Sequence, residues 1–353
     1  MSNTWQTIDI DPETISEDLL RRFHDYRRAR WEERGDPDEP FAPDDQFVAS
    51  WRLERSEADW EQYDRVVLDG ERIVAAIGGG APKPGTDNHA TNGHILWGNC
   101  AVLGAWRRRG IGRGWLAHVL ERMPVTGATT LMASTHEPDG HAFLSAIAGE
   151  PKQLVRYSRT DFQTLDWEQI DRWVAEAARR APDYTVEVYE HRLPEALWPE
   201  YCVAKQEQMR HIPRDGLDMG DWSFTPKDQA ERYKELDVLN ADHNVVWVRD
   251  PEGRIVAITD VGWYPYKADL LQQFFTGVHP SARGRGLGKL VKARMLQLTR
   301  DRYADQRLKW MRTDNATSNA AMLAINVQLG FKEYKVSGIY QADREQIAGF
   351  LAR

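Results

Sequence analysis

The chain has 353 residues, which exceeds one ordinary hydrophobic core and suits two domains of about 150 to 175 residues each. Its net charge of −8 argues against a nucleic acid or an anionic membrane as the main partner, because those contacts need a dense excess of Lys and Arg. Cys100 and Cys202 have no CxxC spacing and no nearby His cluster, so we expect reduced thiols and no metal site.

The N-terminal residues lack the basic cap and apolar core of a secretion signal. No apolar run in the sequence reaches the roughly 18 residues that a membrane span needs. We therefore expect a soluble, cytoplasmic protein, and the sequence fits a monomer and a homodimer equally well.

The first half of the chain contains a basic, glycine-rich turn between a strand-like run and a helix-like run. Residues 102–113 read Val-Leu-Gly-Ala-Trp-Arg-Arg-Arg-Gly-Ile-Gly-Arg. Glycine removes the Cβ atoms that would block a ligand, and the backbone N–H groups at a helix N-terminus bind anions. This turn therefore predicts a phosphate site, whereas the Gly- and Pro-rich run 78–85 before it predicts a loop.

The residues between the two halves predict a connecting helix. The run 167–180 has a helical pattern and is followed by Pro182, which cannot continue a helix. We predict an N-terminal domain over 1–165, a linker helix within 166–183 and a C-terminal domain over 184–353.

The second half predicts a hairpin, a crossover and a final strand. The β-rich runs 244–248 and 254–258 flank the sequence Arg-Asp-Pro-Glu-Gly, which is typical of a hairpin turn. The elements that follow are a strand at 272–278, a helix at 289–302, a strand at 308–313, a helix at 319–329 ended by Gly330, and a strand from Phe331. This order predicts an α/β fold with a mixed sheet flanked by helices.

The second half also repeats the first. Residues 278–289 read Val-His-Pro-Ser-Ala-Arg-Gly-Arg-Gly-Leu-Gly-Lys, 176 residues after the first glycine turn. Three further pairs of segments keep the same order at offsets between 176 and 182 residues, which is typical of a duplicated domain with loop insertions. Two nucleotide-binding motifs do not match the second turn. GxxxxGK[ST] would need a glycine where the chain has Arg283, and GxGxxG would need one where it has Val291.

Both turns fit the pattern [Arg/Gln]-x-x-Gly-x-[Gly/Ala], through residues 283, 286 and 288 and through residues 107, 110 and 112. In this pattern, and in the helix from Asn319 that ends in Leu-Gly-Phe, the chain resembles the GCN5-related N-acetyltransferase (GNAT) family. The resemblance covers nearly all of 185–343, and the whole plan is similar to that of mycothiol synthase and other tandem acetyltransferases. It implies two tandem domains of this fold.

The resemblance also implies acetyl-CoA as co-substrate, with no metal. The amide of Val278 would polarise the thioester carbonyl, and Asn319 would contact the pantetheine arm. The pyrophosphate would bind the second turn, which consists of Arg283, Gly284, Arg285, Gly286, Leu287, Gly288 and Lys289. In the first half His141 replaces the Asn and Ala-Gly-Glu-Pro replaces Leu-Gly-Phe, so we expect a degenerate first domain and a catalytic second domain.

The sequence leaves the general acid open. In this family a tyrosine seven residues after the helix-opening Asn protonates the thiolate, but that position holds Asn326. The alternatives are a tyrosine from elsewhere, Tyr340 or Tyr334, or a proton from water.

Acidic residues supply the candidates for the base and for attraction of the acceptor. Asp260 follows the strand-like run 255–259 and is the candidate base. Asp218 and Asp221 lie in a loop that borders the acceptor in this family, where their charge would attract a cationic amine.

We therefore expect an N-acetyltransferase that moves acetyl from acetyl-CoA to a primary amine of a small molecule, by direct attack in a ternary complex. One alternative is a non-catalytic acyl-CoA-binding sensor, because Asn326 leaves the acid role unfilled. Another is a protein N-acetyltransferase, which keeps the chemistry and changes the acceptor.

Overall fold

The computed structural model of the chain describes residues 5–34, 41–56, 59–306 and 308–353. The chain forms two compact units that do not follow the predicted domain limits. Unit 1 contains Met1–Gln153, Gly216–Trp222 and Ser337–Arg353, and unit 2 contains Leu154–Asp215 and Ser223–Val336. Two segments of the predicted C-terminal domain therefore belong to unit 1.

Unit 1 begins with five strands and five helices in the described residues up to 148. Its described elements up to residue 148 are β1 (Gln6–Asp9), α1 (Glu17–Arg34), α2 (Asp44–Ser56), β2 (Trp60–Asp69), β3 (Arg72–Pro82), α3 (Asp87–Asn92), β4 (Ile95–Val102), α4 (Ile111–Thr126), β5 (Thr130–Thr135) and α5 (Pro138–Ala148). Strands β1 to β4 are antiparallel neighbours. Strands β4 and β5 are parallel and pair only over Ile95–Trp97 and Thr130–Met132, so β4 separates from β5 before it reaches the glycine turn.

The predicted loop at 78–85 is wrong in its first part, because Gly78, Gly79 and Gly80 lie inside β3. They pair with Asp64, Tyr63 and Gln62 of β2. A Cβ atom at Gly79 would lie 2.6 Å from the Tyr63 hydroxyl, so glycine is required here by close packing and not by a turn.

Unit 2 repeats this plan. Its described elements are β6 (Gln153–Asp161), α6 (Trp167–Arg180), β7 (Thr185–Tyr189), α7 (Trp198–Met209), α8 (Pro226–Val238), β8 (Asp242–Arg249), β9 (Ile255–Trp263), β10 (Leu270–Val278), α9 (Leu287–Arg302), β11 (Trp310–Ala316) and α10 (Ala320–Gln328). The predicted hairpin, crossover and later helix are thereby confirmed. The order of the strands in this unit is β6-β11-β10-β9-β8-β7.

The predicted linker helix is present as α6, but it is part of the core of unit 2. Its residues Ile170, Trp173 and Ala177 are buried in one cluster with Leu290 and Val291 of α9. Because these apolar residues recur at helical spacing, α6 has one face that must be covered, and α9 covers it.

After unit 2 the chain returns to unit 1 through β12 (Lys332–Asp343) and α11 (Arg344–Ala352). Residues Gly338–Asp343 pair antiparallel with Thr130–Thr135 of β5. Ile347 of α11 is buried in the core of unit 1. The predicted second domain extends to residue 353, whereas the compact unit 2 ends at Val336.

No helix in the described part of the chain has both the length and the apolar character needed to cross a membrane. Within the same residues, no group of three or more His, Cys, Asp or Glu side chains is arranged to hold a metal ion.

Candidate functional site

The two glycine turns have nearly the same backbone conformation. Arg283 has φ −64° and ψ 161°, and Arg107 has φ −64° and ψ 159°. Gly286 has φ 81° and ψ 7°, and Gly110 has φ 92° and ψ −6°. The repeat read from the sequence is therefore also a repeat of local structure.

In unit 2 the turn leaves open space beside its glycines. Gly284 and Gly286 have φ values of 80° and 81°, in the left-handed region that favours glycine. A Cβ atom at Gly284 would meet nothing within 4 Å, and one at Gly286 would meet only the Arg180 guanidinium, at 3.9 Å. The N–H groups that open α9 have no partner inside the helix, so this space is suited to an anion.

Two cationic side chains of the turn, Arg283 and Lys289, have no acidic partner among the described residues, whereas the nearby Arg180 pairs with Glu176. Arg283 is exposed and its Nε donates to the Val278 carbonyl at 3.4 Å. The Lys289 ammonium donates to Gln328 at 2.7 Å and lies 4.6 Å from the centre of the Trp173 ring. Within the described residues neither Arg283 nor Lys289 forms an ion pair, so both charges are available to a phosphate ligand.

A cavity of about 610 Å³ adjoins the turn, a size within the range of small-molecule sites. Its walls come from the turn, the end of β10, the start of α10, and parts of α6 and α7. Its lining includes Gln208, His211, Thr276, Gly277, Val278, Gly288 and Asn319.

The backbone N–H of Val278 faces the gap between β10 and β11. His279 donates its N–H to the Val256 carbonyl at 2.8 Å, and alternation along an antiparallel strand then turns the N–H of Val278 away from β9. On the other side, β10 pairs with β11 only over Leu270–Gln272. This N–H can therefore donate to a ligand carbonyl.

Asn319 is the N-cap of α10. Its side-chain oxygen accepts a hydrogen bond from the Met322 N–H at 3.3 Å, which holds the side chain at the cavity wall. The structure thus brings together the turn, Val278 and Asn319, as the sequence predicts.

The position of the missing tyrosine, Asn326, is buried in a polar network. Its oxygen accepts from the Lys292 ammonium at 2.8 Å, and its nitrogen donates to Asn315 at 2.7 Å. Lys292 also donates to Gln273 at 2.7 Å. Burial lowers the pKa of Lys292 to about 7. Lys292 was not predicted from the sequence, although its position among the apolar residues Leu290, Val291 and Ala293 was the available signal.

Asp260 lies in the core and does not line the cavity. Its carboxylate accepts from Lys205 at 2.6 Å and from the Tyr201 hydroxyl. Burial alone would raise the pKa of Asp260, but Lys205 and His243 outweigh it and hold that pKa well below its usual value. A carboxylate held in this ion pair is a weak base, so the geometry does not support the role predicted for it.

Tyr340 and Asp221 both belong to unit 1, whereas the Arg283 turn belongs to unit 2. The Tyr340 hydroxyl is buried and lies 2.7 Å from His141 Nδ1. The Asp221 carbonyl accepts from Thr91 at 2.8 Å. The structure therefore does not place Asp260, Tyr340 and Asp221 together on the cavity of unit 2, and Asp218 also falls in unit 1.

The corresponding turn of unit 1 has acidic neighbours. Arg107 donates to Glu137 at 2.7 Å and to Asp139 at 3.0 Å, and Glu137 also pairs with Arg30. Burial opposes ionisation of Glu137, but the two arginines hold its pKa below the usual value. Arg108, with φ 60°, stands where unit 2 has Gly284. The charge of Arg107 is thus neutralised within its own unit.

No curated protein sequence matches the chain. Among solved structures, a tandem GNAT protein from the clavulanic acid biosynthesis pathway is 18% identical, with 96% of this chain and 98% of that one covered and a TM-score of 0.71. A GCN5-related N-acetyltransferase from Sphaerobacter thermophilus is 12% identical, with 96% and 95% covered and a TM-score of 0.61. N-myristoyltransferase from Saccharomyces cerevisiae is 12% identical, with 97% and 80% covered and a TM-score of 0.59. At these identities the likeness establishes the fold.

The profile of the acetyltransferase (GNAT) family matches the chain twice, over residues 20–144 and 187–331. Each match contains one of the two glycine turns, and together they span most of the chain. Repeated sequence, repeated turn geometry and repeated profile agree, and the chain therefore belongs to the GNAT family of acyltransferases, with two such domains in tandem.

Proposed function

We propose that unit 2 transfers an acetyl group from acetyl-CoA to a primary amine of a small molecule, by direct attack in a ternary complex. The observation that carries this proposal is the cavity of unit 2, which joins an open cationic glycine turn to the free backbone N–H of Val278. Those two features supply what a CoA thioester needs, namely an anion site and a donor for its carbonyl oxygen.

The turn would hold the pyrophosphate. The N–H groups at the start of α9 donate to its oxygens, and the open faces of Gly284 and Gly286 allow close approach. Arg283 and Lys289 add charge that no carboxylate of the described chain neutralises. Asn319, fixed by its capping bond, would contact the pantetheine arm.

Acetyl-CoA supplies an activated acyl group, and the protein positions and polarises it. The N–H of Val278 would donate to the thioester oxygen, whose negative charge grows as the amine attacks. Asn326 cannot give up a proton as an acid would, and its amide is engaged by Lys292 and Asn315. We therefore propose that water relays the proton: it accepts the proton that the attacking nitrogen loses and donates one to the departing thiolate, so that the products are the acetamide and the CoA thiol.

One observation favours a second candidate, a non-catalytic acyl-CoA sensor. Asn326 occupies the position where the family resemblance predicts the proton donor, and its amide is committed to a structural network. Such a protein would bind acetyl-CoA and release it unchanged.

The test is transfer of radiolabelled acetyl from acetyl-CoA to a panel of tyramine, spermidine, glucosamine and L-lysine. We expect labelled product with at least one amine for the wild-type protein and none for Gly286→Trp, whose bulky side chain would occupy the anion site. Binding of acetyl-CoA by the wild type with no labelled product from any amine would contradict the proposal and support the sensor.

A further inference from the structure

Gln208 of α7 has a buried side chain with no hydrogen-bond partner. Only 3% of the surface of Gln208 is exposed to solvent. Neither its amide oxygen nor its amide nitrogen is hydrogen-bonded to any group in the described part of the chain. A buried polar group without a partner destabilises a folded protein, so a native structure that keeps one calls for an explanation.

This amide lies against the strand that carries the thioester donor. Gln208 lines the cavity, and a Cβ atom at Gly277 would lie only 2.7 Å from Gln208 Oε1. Gly277 directly precedes Val278 in β10. The unpartnered amide is therefore next to the N–H that we assign to the acyl oxygen.

The spacing of α7 explains why Gln208 alone on this face is left free. Tyr201, Lys205 and Gln208 are four and three residues apart, so all three project from one side of the helix. The Lys205 ammonium donates to Asp260 at 2.6 Å and to Tyr201 at 3.0 Å. That network is closed without Gln208, which is one of the residues that line the cavity.

We propose that Gln208 is the positioning residue for the acceptor, through its Oε1, which accepts a hydrogen bond from the N–H of the attacking amine. This inference rests on the proposed function of unit 2. The amine would then stand beside the thioester carbon, with its lone pair directed to the carbonyl that Val278 polarises.

A neutral amide suits this task better than a carboxylate would. A carboxylate stabilises the ammonium form and raises the pKa of a bound amine, whereas only the neutral amine is nucleophilic. An amide oxygen can orient the amine N–H without favouring protonation. A glutamine at position 208 therefore favours an acceptor that binds as a neutral primary amine.

The experiment compares Gln208→Leu with Gln229→Leu. Gln229 of α8 is a matched control, since it is also buried and its amide is also unpartnered within the described residues, but it does not line the cavity. For the amine of the panel with the highest wild-type turnover, we expect Gln208→Leu to lower kcat/KM by roughly 10- to 100-fold, as for loss of one buried hydrogen bond. The dissociation constant for acetyl-CoA, measured by calorimetry, should stay within about twofold of wild type for both variants.

A second variant gives a readout that a purely structural role would not move. Gln208→Glu should shift the pH profile of kcat to higher pH, because kcat reports groups in the enzyme–substrate complex and the new carboxylate holds the bound amine protonated. Three results would overturn the assignment: equal activity of Gln208→Leu and Gln229→Leu, loss of acetyl-CoA binding by Gln208→Leu, or an unshifted profile for Gln208→Glu. If the wild type acetylates no amine, the proposed function fails first and this assignment falls with it.

Discussion

The turn before α9 and the turn before α4 follow the same backbone path, but their arginines face different surroundings. Arg283 has no carboxylate partner in the described chain, whereas Arg107 is paired with Glu137 and Asp139. Those acids come from the start of α5, so they occupy the region where a phosphate would otherwise neutralise the arginine. The motif alone therefore does not decide anion binding, because the charges of the neighbouring segment also contribute.

Two further positions separate the units. Arg108 takes the left-handed conformation that Gly284 takes in unit 2, and it adds a side chain where unit 2 has open space. In the following helix, unit 1 has the buried Leu116 where unit 2 has the buried Lys292. Unit 1 thus has a bulky side chain where unit 2 has open space, and an apolar side chain where unit 2 has a buried amine.

The largest expected effect is on acetyl-CoA binding when a bulky side chain is placed in each glycine turn separately. Gly286→Trp should abolish measurable acetyl-CoA binding in calorimetry, and Gly110→Trp should leave it within about twofold of wild type. Both glycines have positive φ, so the backbone strain is matched in the two variants. Loss of binding through Gly110→Trp, or a second acetyl-CoA site in the wild type, would show that unit 1 also binds the cofactor.

A smaller effect is expected from the two arginines. Arg283→Ala should weaken acetyl-CoA binding about tenfold, through loss of a charge-assisted contact with phosphate. Arg107→Ala should leave binding unchanged, because its guanidinium is already paired with Glu137 and Asp139. The dissociation constants of both variants measure the contrast directly, and equal weakening by the two substitutions would remove it.

The third contrast concerns the dependence of stability on pH at Lys292, and it does not involve acetyl-CoA binding. Its folded-state pKa of about 7 lies below the value of about 10.4 for an exposed lysine, so the unfolded chain binds more protons between those values. Stability should therefore rise with pH across this interval, by about 2 to 3 kcal/mol between pH 6 and pH 9.

The variant Lys292→Leu, which copies Leu116 of unit 1, should lack this rise. Urea unfolding of both proteins at pH 6 and pH 9 gives the difference, and subtraction removes the other titrating groups. A constant difference between the two proteins at both pH values would show that Lys292 does not titrate in this range.

Local patterns predicted the part of the site that is local in sequence. The strand, turn and helix over 270–302 follow from a β-rich run, a cluster of glycines and helical spacing, all within one segment. The capping role of Asn319 is likewise set by its immediate neighbours. These features were predictable because each depends on residues only a few positions away.

The residues that sequence analysis placed wrongly or missed depend on distant partners. The ion pair of Asp260 involves Lys205, which is 55 residues earlier in the chain. Tyr340 lies in unit 1 because β12 returns to that unit and pairs with β5. No local sequence pattern indicates such a long-range pairing. Gln208 gave no signal, because a single Gln in a helix is usually exposed, and only the structure shows it buried beside Gly277.

The return of the chain to unit 1 through β12 and α11 has a consequence for how the protein folds during synthesis. Every residue of unit 2 has been added to the nascent chain once Val336 is in place. Unit 1 still lacks the strand segment Gly338–Asp343 and the buried Ile347 until residues 337–353 are made. The unit that begins first is therefore the last that can be completed, and a ribosome that stops at residue 336 would release a protein with unit 2 entire and unit 1 unfinished.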